Sequence, residues 1–143
     1  MVKFLWGLLL IPALLMGCGK SNNTNTNVQE GKSGGNILVH VSDGDTISRP
    51  LYSWEDPINN DMSAMKIEVA QTSNLSSPVW GEQSNDPSKN NIQSPLTQGD
   101  PGSSLYAPFV TTDLDLQSNI EYRVTITKAD GITSGYREFT IVP

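Results

Sequence analysis

Apolar and polar residues alternate in several short stretches of the chain, and this two-residue period is what most restricts its fold. The clearest stretch is Glu121–Thr127, in which Tyr122, Val124 and Ile126 fall on one side and polar residues on the other. This pattern predicts a β-strand with one buried and one solvated face. The sequence after residue 35 shows no helical periodicity, so we expect an all-β domain.

Six further segments carry strand patterns and are separated by turn residues, including a turn at Asp43-Gly44-Asp45. Residues 92–96 leave two alternatives open, a short strand or part of a functional surface loop. Seven short strands over residues 36–143 are typical of an antiparallel two-sheet sandwich of the immunoglobulin type. The predicted strands are 36–42, 50–57, 64–71, 79–80, 105–111, 121–127 and 136–142.

Residues 1–17 predict export. Lys3 precedes an apolar run over residues 4–16. The run is shorter than the roughly 20 residues of a membrane-spanning helix and matches the apolar region of a secretory signal peptide. Leu15-Met16-Gly17-Cys18 then follows and resembles the bacterial lipobox, in which a large aliphatic residue and a small residue precede cysteine. The alternative is an ordinary cleaved signal that happens to contain a cysteine.

The lipobox resemblance implies a lipid modification and a location at a membrane. In that family the cysteine, here Cys18, forms a thioether to diacylglycerol and becomes the acylated first residue after cleavage. Several fatty chains such as palmitate on one residue give stable membrane anchoring. Gly19 follows Cys18, where an aspartate would favour the inner membrane. We therefore expect a lipid-anchored protein of the cell envelope, at the outer membrane if the cell is Gram-negative.

The charge balance limits the partners. The chain has 15 acidic and 9 basic side chains, a net charge of −6, and loss of Lys3 with the signal would make it more negative. This balance argues against nucleic acid and anionic lipid head groups as partners. Cys18 is the one cysteine, so we expect neither a disulfide nor a thiolate metal site.

Residues 18–35 are predicted to be a flexible linker between the lipidated cysteine and the domain at 36–143. They contain Gly, Ser, Asn, Thr, Lys, Gln and Glu, and Val28 is their one larger apolar residue. Such a segment buries too little surface to offset the entropy lost on ordering.

Two stretches of the domain resemble the fibronectin type III family. Pro50-Leu51-Tyr52-Ser53-Trp54 is similar to its B strand, and the spacing from Leu116 to Tyr122 is similar to its tyrosine corner. The resemblance implies that Trp54 lies in the core and that the Tyr122 hydroxyl bonds to the upstream backbone. The residues 118–120, Ser-Asn-Ile, depart from the proline, glycine and threonine common at that corner.

The sequence offers few groups for catalysis. His40 is the one histidine, and no second candidate catalytic residue lies at a recognisable spacing from it. Asp43-Gly44-Asp45 lacks the remainder of an EF-hand loop, and Asp113 with Asp115 fits a solvated strand end. We therefore expect no enzyme, no cofactor and no metal site.

The fibronectin resemblance implies a non-catalytic protein-interaction or structural module in the cell envelope. The alternative is a small carbohydrate-binding module, which would need aromatic side chains exposed on one face. Trp80, Tyr106 and Tyr136 are the candidate binding residues for that role, and an exposed Trp54 would be a further sugar-stacking platform.

Overall fold

The computed structural model describes residues 27–143, and this part of the chain is built from β-strands without a helix. The alternating segments form strands as expected, and several polar segments do so as well. The strands are β1 (Val28–Gly35), β2 (Leu38–Thr46), β3 (Arg49–Glu55), β4 (Ser63–Ala64), β5 (Lys66–Gln71), β6 (Pro78–Ser84), β7 (Ile92–Gln93), β8 (Leu96–Thr97), β9 (Tyr106–Thr111), β10 (Glu121–Thr127) and β11 (Ser134–Ile141).

The described strands form three antiparallel sheets. The largest has six strands in the order β1-β11-β10-β5-β6-β9, and the second has three in the order β2-β3-β8. A two-stranded ribbon pairs β4 with β7. The two larger sheets enclose one hydrophobic core to which both contribute.

Period-two alternation places the core residues on the inner faces of both sheets. Tyr122, Val124 and Ile126 of β10 are buried, while the residues between them are partly exposed. Trp54 is 2% exposed and Tyr52 is fully buried, so both point inward as expected. The indole N–H of Trp54 has no hydrogen-bond partner within residues 27–143.

The corner before β10 has the expected hydrogen bond. The backbone N–H of Gln117 donates to the Tyr122 hydroxyl at 3.1 Å. Leu116, on the other side of this corner, is 4% exposed. Asn119 adopts a positive φ of 63°, a conformation that asparagine tolerates better than most residues. The turn therefore closes despite lacking the usual proline and glycine.

The strand count was underestimated, because the described residues form eleven strands and not seven. The alternative of a short strand within 92–96 is confirmed, since β7 and β8 lie there. The strand predicted at 105–111 forms as β9, at the edge of the six-stranded sheet. Pro108 lies next to a register shift against β6, in agreement with an edge or bulge position.

The predicted linker over 18–35 is wrong from Val28 onward. Residues 28–35 form β1, which pairs with β11 from Val28 opposite Ile141 to Gly35 opposite Gly135. Val28 is buried, and the Glu30 carboxylate accepts the backbone N–H of Val41 at 2.6 Å. A mostly polar segment is ordered here because its backbone satisfies the free edge of β11.

The turn predicted at Asp43-Gly44-Asp45 is also wrong. These residues lie inside β2, where the pairing with β3 shifts register between Ser42 and Thr46. The Asp43 carboxylate accepts the backbone N–H of Asn27 at 2.9 Å and that of Val28 at 3.1 Å. Asp43 therefore fixes the start of β1, while the chain reverses after Thr46.

The strand role of β1 leads to a stability prediction. A chain of residues 36–143 should unfold with a free energy at least about 3 kcal/mol lower than that of residues 19–143. It loses the buried Val28 side chain and several hydrogen bonds worth about 1 kcal/mol each. Urea denaturation followed by tryptophan fluorescence measures the difference. Equal midpoints and slopes for the two chains would show that β1 is dispensable.

The tyrosine corner gives a second prediction. Tyr122→Phe should reduce the unfolding free energy by about 0.5–1.5 kcal/mol, because the Gln117 N–H loses its acceptor. Tyr136→Phe is the matched control, since the Tyr136 hydroxyl has no hydrogen bond within the described strands and loops. Thermal unfolding of both variants compares them. A loss as large for Tyr136→Phe as for Tyr122→Phe would contradict the assignment.

Candidate interaction surface

The described chain starts at one end of the sheets, and three loops lie at the other. Val28 pairs with Ile141, whereas Gly35 pairs with Gly135 beside the loop between β10 and β11. We call the first end proximal and the second distal. Residues from the three distal loops line one cavity of about 150 Å³. These loops are 56–62 (β3 to β4), 85–91 (β6 to β7) and 128–133 (β10 to β11).

The loop at 56–62 is fixed by its two aspartates. Asp56 accepts hydrogen bonds from the backbone N–H of Ile58 at 3.1 Å and from the Asn59 side chain at 2.8 Å. Asp61 accepts the backbone N–H and the hydroxyl of Ser63 at 2.9 and 2.7 Å. The Asn59 hydrogen bond is the main cause that lowers the pKa of Asp56.

The loop at 128–133 is fixed by Asp130 in the same way. Its carboxylate accepts the backbone N–H groups of Ile132 and Thr133 at 2.9 and 2.8 Å and the Thr133 hydroxyl at 2.6 Å. These bonds, the Thr133 hydroxyl first, lower the pKa of Asp130. Gly131 has a positive φ of 71°, which glycine adopts without strain.

Contacts between the loops hold them to one another. Lys128, only 4% exposed, forms an ion pair with the Asp61 carboxylate. The Asn90 side chain accepts the backbone N–H of Ala129 at 2.7 Å. The three loops are therefore joined by an ion pair and by a hydrogen bond from backbone to side chain, and little freedom is left for them to lose on binding.

Two isoleucines protrude from these loops. Ile58 and Ile132 are each 82% exposed, more than any other large apolar residue in the described chain. Met62 and Leu38, 47% and 53% exposed, line a second cavity of about 130 Å³ beside the 56–62 loop. We call this set the distal loop surface. It consists of Leu38, the exposed Glu55 of β3, Ile58, Asp61, Met62, Asp130 and Ile132.

The structure does not bring the three predicted aromatic binding residues together. Trp80 is fully buried and stacks on Tyr52, with ring centroids 5.9 Å apart, so it is not a sugar-stacking platform. Tyr106, the first residue of β9, is half-buried against the core. Tyr136 lies on the outer face of the six-stranded sheet, beneath the Arg123 guanidinium at 4.2 Å from its ring centre.

A buried acid forms a separate polar site under the loop between β8 and β9. Glu82 lies opposite Ile67 on the inner face of β6 and is fully buried. Neither carboxyl oxygen has a hydrogen-bond partner within residues 27–143. Burial, with a smaller contribution from the negative charge of Asp100, raises the pKa of Glu82 to about 8. The carboxyl group is therefore mostly protonated at neutral pH.

Tyr106 and Asp100 border this acid. The Tyr106 hydroxyl lies 3.5 Å from the Asp100 carboxylate, which also accepts the backbone N–H of Gly102 at 2.7 Å. Burial, then the charges of Asp100 and Glu82, raise the pKa of Tyr106. Glu82, Asp100 and Tyr106 can together hold a proton, but they include no nucleophile with an adjacent base.

Sequence reasoning missed both Glu82 and the distal loop surface. A signal for the loops was present, since Pro57-Ile58-Asn59 and Gly131-Ile132-Thr133 each place an isoleucine among turn residues. No equivalent signal marks Glu82, which sits in a strand beside polar residues. Cys18, the predicted lipidation site, lies outside the described residues.

Comparisons with known proteins give no relative, because neither a family model nor a curated protein nor a solved structure matches this chain. Residues 27–143 contain no helix with the length and hydropathy to cross a membrane. In the same range, no three His, Cys, Asp or Glu side chains are grouped to hold a metal ion.

The buried acid predicts a pH dependence of stability. Because the pKa of Glu82 is raised in the fold, its contribution is fully present below about pH 4.5 and is lost as pH rises through about 8. Glu82→Gln should remove a decline of roughly 1–3 kcal/mol between pH 5 and 8. Urea unfolding across this range measures it. Glu55→Gln, at an exposed position on β3, should keep the wild-type slope, and the same slope in Glu82→Gln would refute the prediction.

Proposed function

We propose that this protein is a membrane-anchored lipoprotein of the cell envelope whose fibronectin type III-like domain serves as a non-catalytic protein-interaction module. The anchor is Cys18, because Leu15-Met16-Gly17-Cys18 has the lipobox pattern after an apolar run. Acyl chains on this residue would hold the protein at the membrane, at the outer membrane in a Gram-negative cell.

The order of strands supports the fibronectin-like assignment. In immunoglobulin-type sandwiches, strands A, B and E share one sheet and C, F and G the other. Here β2, β3 and β8 would correspond to A, B and E, and β5, β10 and β11 to C, F and G. The hydrogen bond from Gln117 to the Tyr122 hydroxyl lies just before β10, where the tyrosine corner of strand F belongs. The strand predicted as E at 105–111 is β9, which lies in the second sheet beside β6, so the prediction of strand E was wrong and β6 would correspond to C′. β1 and β9 would then extend the second sheet at its two edges.

The observation that carries the interaction role is the pair of exposed isoleucines on rigid loops. Ile58 and Ile132 expose 82% of their surface at the distal end, where hydrogen bonds to Asp56 and Asp130 fix both loops. Apolar side chains on a preformed surface bind a partner with little ordering cost. Exposed apolar groups rimmed by polar ones are typical of protein-interaction sites.

The carbohydrate-binding alternative has less support. It needs a flat aromatic surface in contact with solvent, and Trp80 is buried against Tyr52. Tyr136 is the remaining candidate on an outer face, and its ring is partly covered by Arg123. A tryptophan-fluorescence titration with cell-wall polysaccharides tests this alternative, which a saturable change in emission would favour.

The anchor leads to a direct prediction. The full-length protein, expressed in a bacterium, should sediment with membranes and pass into the detergent phase, because its acyl chains bury many CH₂ groups at about 0.8 kcal/mol each. Cys18→Ser should leave it uncleaved or soluble and without lipid. Mass spectrometry of the N-terminus checks this, with Ser21→Ala as the control that keeps the lipid. An unmodified Cys18 in the mature chain would exclude the anchor.

A further inference from the structure

We propose that the distal loop surface binds a protein partner that offers an apolar surface rimmed by lysine or arginine side chains. This inference rests on the proposed interaction function and names the surface and the chemistry of its partner. The surface is exposed, held by hydrogen bonds, negatively charged and remote from the N-terminal end of the described chain.

The apolar part of the surface comes from two loops that meet at one cavity. Single exposed apolar residues are common on proteins, but contiguous groups mark interaction sites. Ile58 and Ile132 come from two loops that border the same cavity, although these loops are far apart in the sequence. Met62 belongs to the first loop and lines a neighbouring cavity with Leu38. The exposed Ile58 and Ile132 side chains and the cavity beside Met62 can therefore contact a partner at several points.

The charged part of the surface is negative. Asp130 is exposed, and its lowered pKa keeps the carboxylate ionised at neutral pH, whereas Asp56 is 2% exposed and presents little charge to the solvent. Lys128 offers little opposing charge to the solvent, because it is 4% exposed and paired with Asp61. Glu55, exposed at the end of β3, adds a further carboxylate beside Met62. Complementary potentials favour a basic partner and disfavour an anionic lipid surface.

The position of the surface keeps it accessible. The segment that carries Cys18 joins the described chain at Asn27, at the proximal end. The eight residues of β1 run from there toward the distal end, a span of roughly 25 Å at about 3.3 Å per residue. A chain anchored through Cys18 would therefore present the distal loop surface on the side opposite its attachment.

Photo-crosslinking in cells that make the lipidated, full-length protein tests the proposal. A benzophenone amino acid is placed at position 58 or 132, and at position 47 or 75 as matched controls. Ile47 and Leu75 are each 43% exposed and lie in the turns after β2 and β5, at the proximal end. We expect the same protein adduct from positions 58 and 132, with yields at least fivefold lower from the two controls.

Charge reversal supplies the second readout. Glu55→Lys should reduce the adduct at position 58 at least threefold, and the crosslinked segment of the partner should be net basic. Asp45→Lys is the matched control, since Asp45 is exposed on β2 near the proximal end. Neither carboxylate has a hydrogen bond or ion pair in the described part of the chain, so both variants should fold, and circular dichroism checks this. An unchanged adduct in Glu55→Lys would overturn the proposal.

The remaining outcomes separate this inference from the proposed function. Protein adducts from positions 47 and 75 alone would overturn the distal assignment and leave an interaction module with another surface. Lipid, polysaccharide or a second copy of this chain in the adduct at 58 and 132 would overturn the proposed partner. The absence of adducts at all four positions would refute both the surface and the interaction function, while the anchor would stand or fall with Cys18→Ser.

Discussion

Contacts between aromatic rings hold the two larger sheets together, and the remaining packing depends on them. Tyr52 of the three-stranded sheet stacks on Trp80 and meets Phe139 edge to face, each at 5.9 Å between ring centroids. Its hydroxyl donates to the buried Gln98 side chain at 2.7 Å, which in turn donates to the Asp113 carbonyl at 3.1 Å. Large rings supply much apolar surface, and the partnered phenol removes the desolvation cost of its polar end.

Much of the fold follows from local sequence, and the parts that do not are explained by tertiary contacts. Alternation in β10 and the apolar residues of β3 predict the strands and their buried faces. The polar segment at 28–35 carries no such signal, because only Val28 enters the core. It becomes a strand because β11 offers a row of backbone groups that need partners. The start of β1 depends in the same way on Asp43, whose carboxylate accepts the backbone N–H groups of Asn27 and Val28.

The surface could be predicted less well than the fold. Residue type suggested aromatic side chains as binding groups, but type alone does not say which face of a strand a residue occupies. Trp80 follows Val79 in a predicted strand of only two residues, so the sequence did not show which way it faces, and the stacking on Tyr52 places it inside. Ile58 and Ile132 could not be identified as binding residues, because single exposed apolar side chains are common and the sequence does not show which loops meet. Here the aspartates fix the loop backbones so that the side chains remain outside.

The pairing of β1 with the last strand has a mechanical consequence. If a bound partner at the distal loops were pulled away from a tether at Asn27, the force would run nearly parallel to the β1 axis. The bonds between Val28–Gly35 and β11 would then be loaded together in shear, and not broken one after another from one end. The N-terminal strand would thus resist this force, as suits a domain stretched between a fixed anchor and a moving partner.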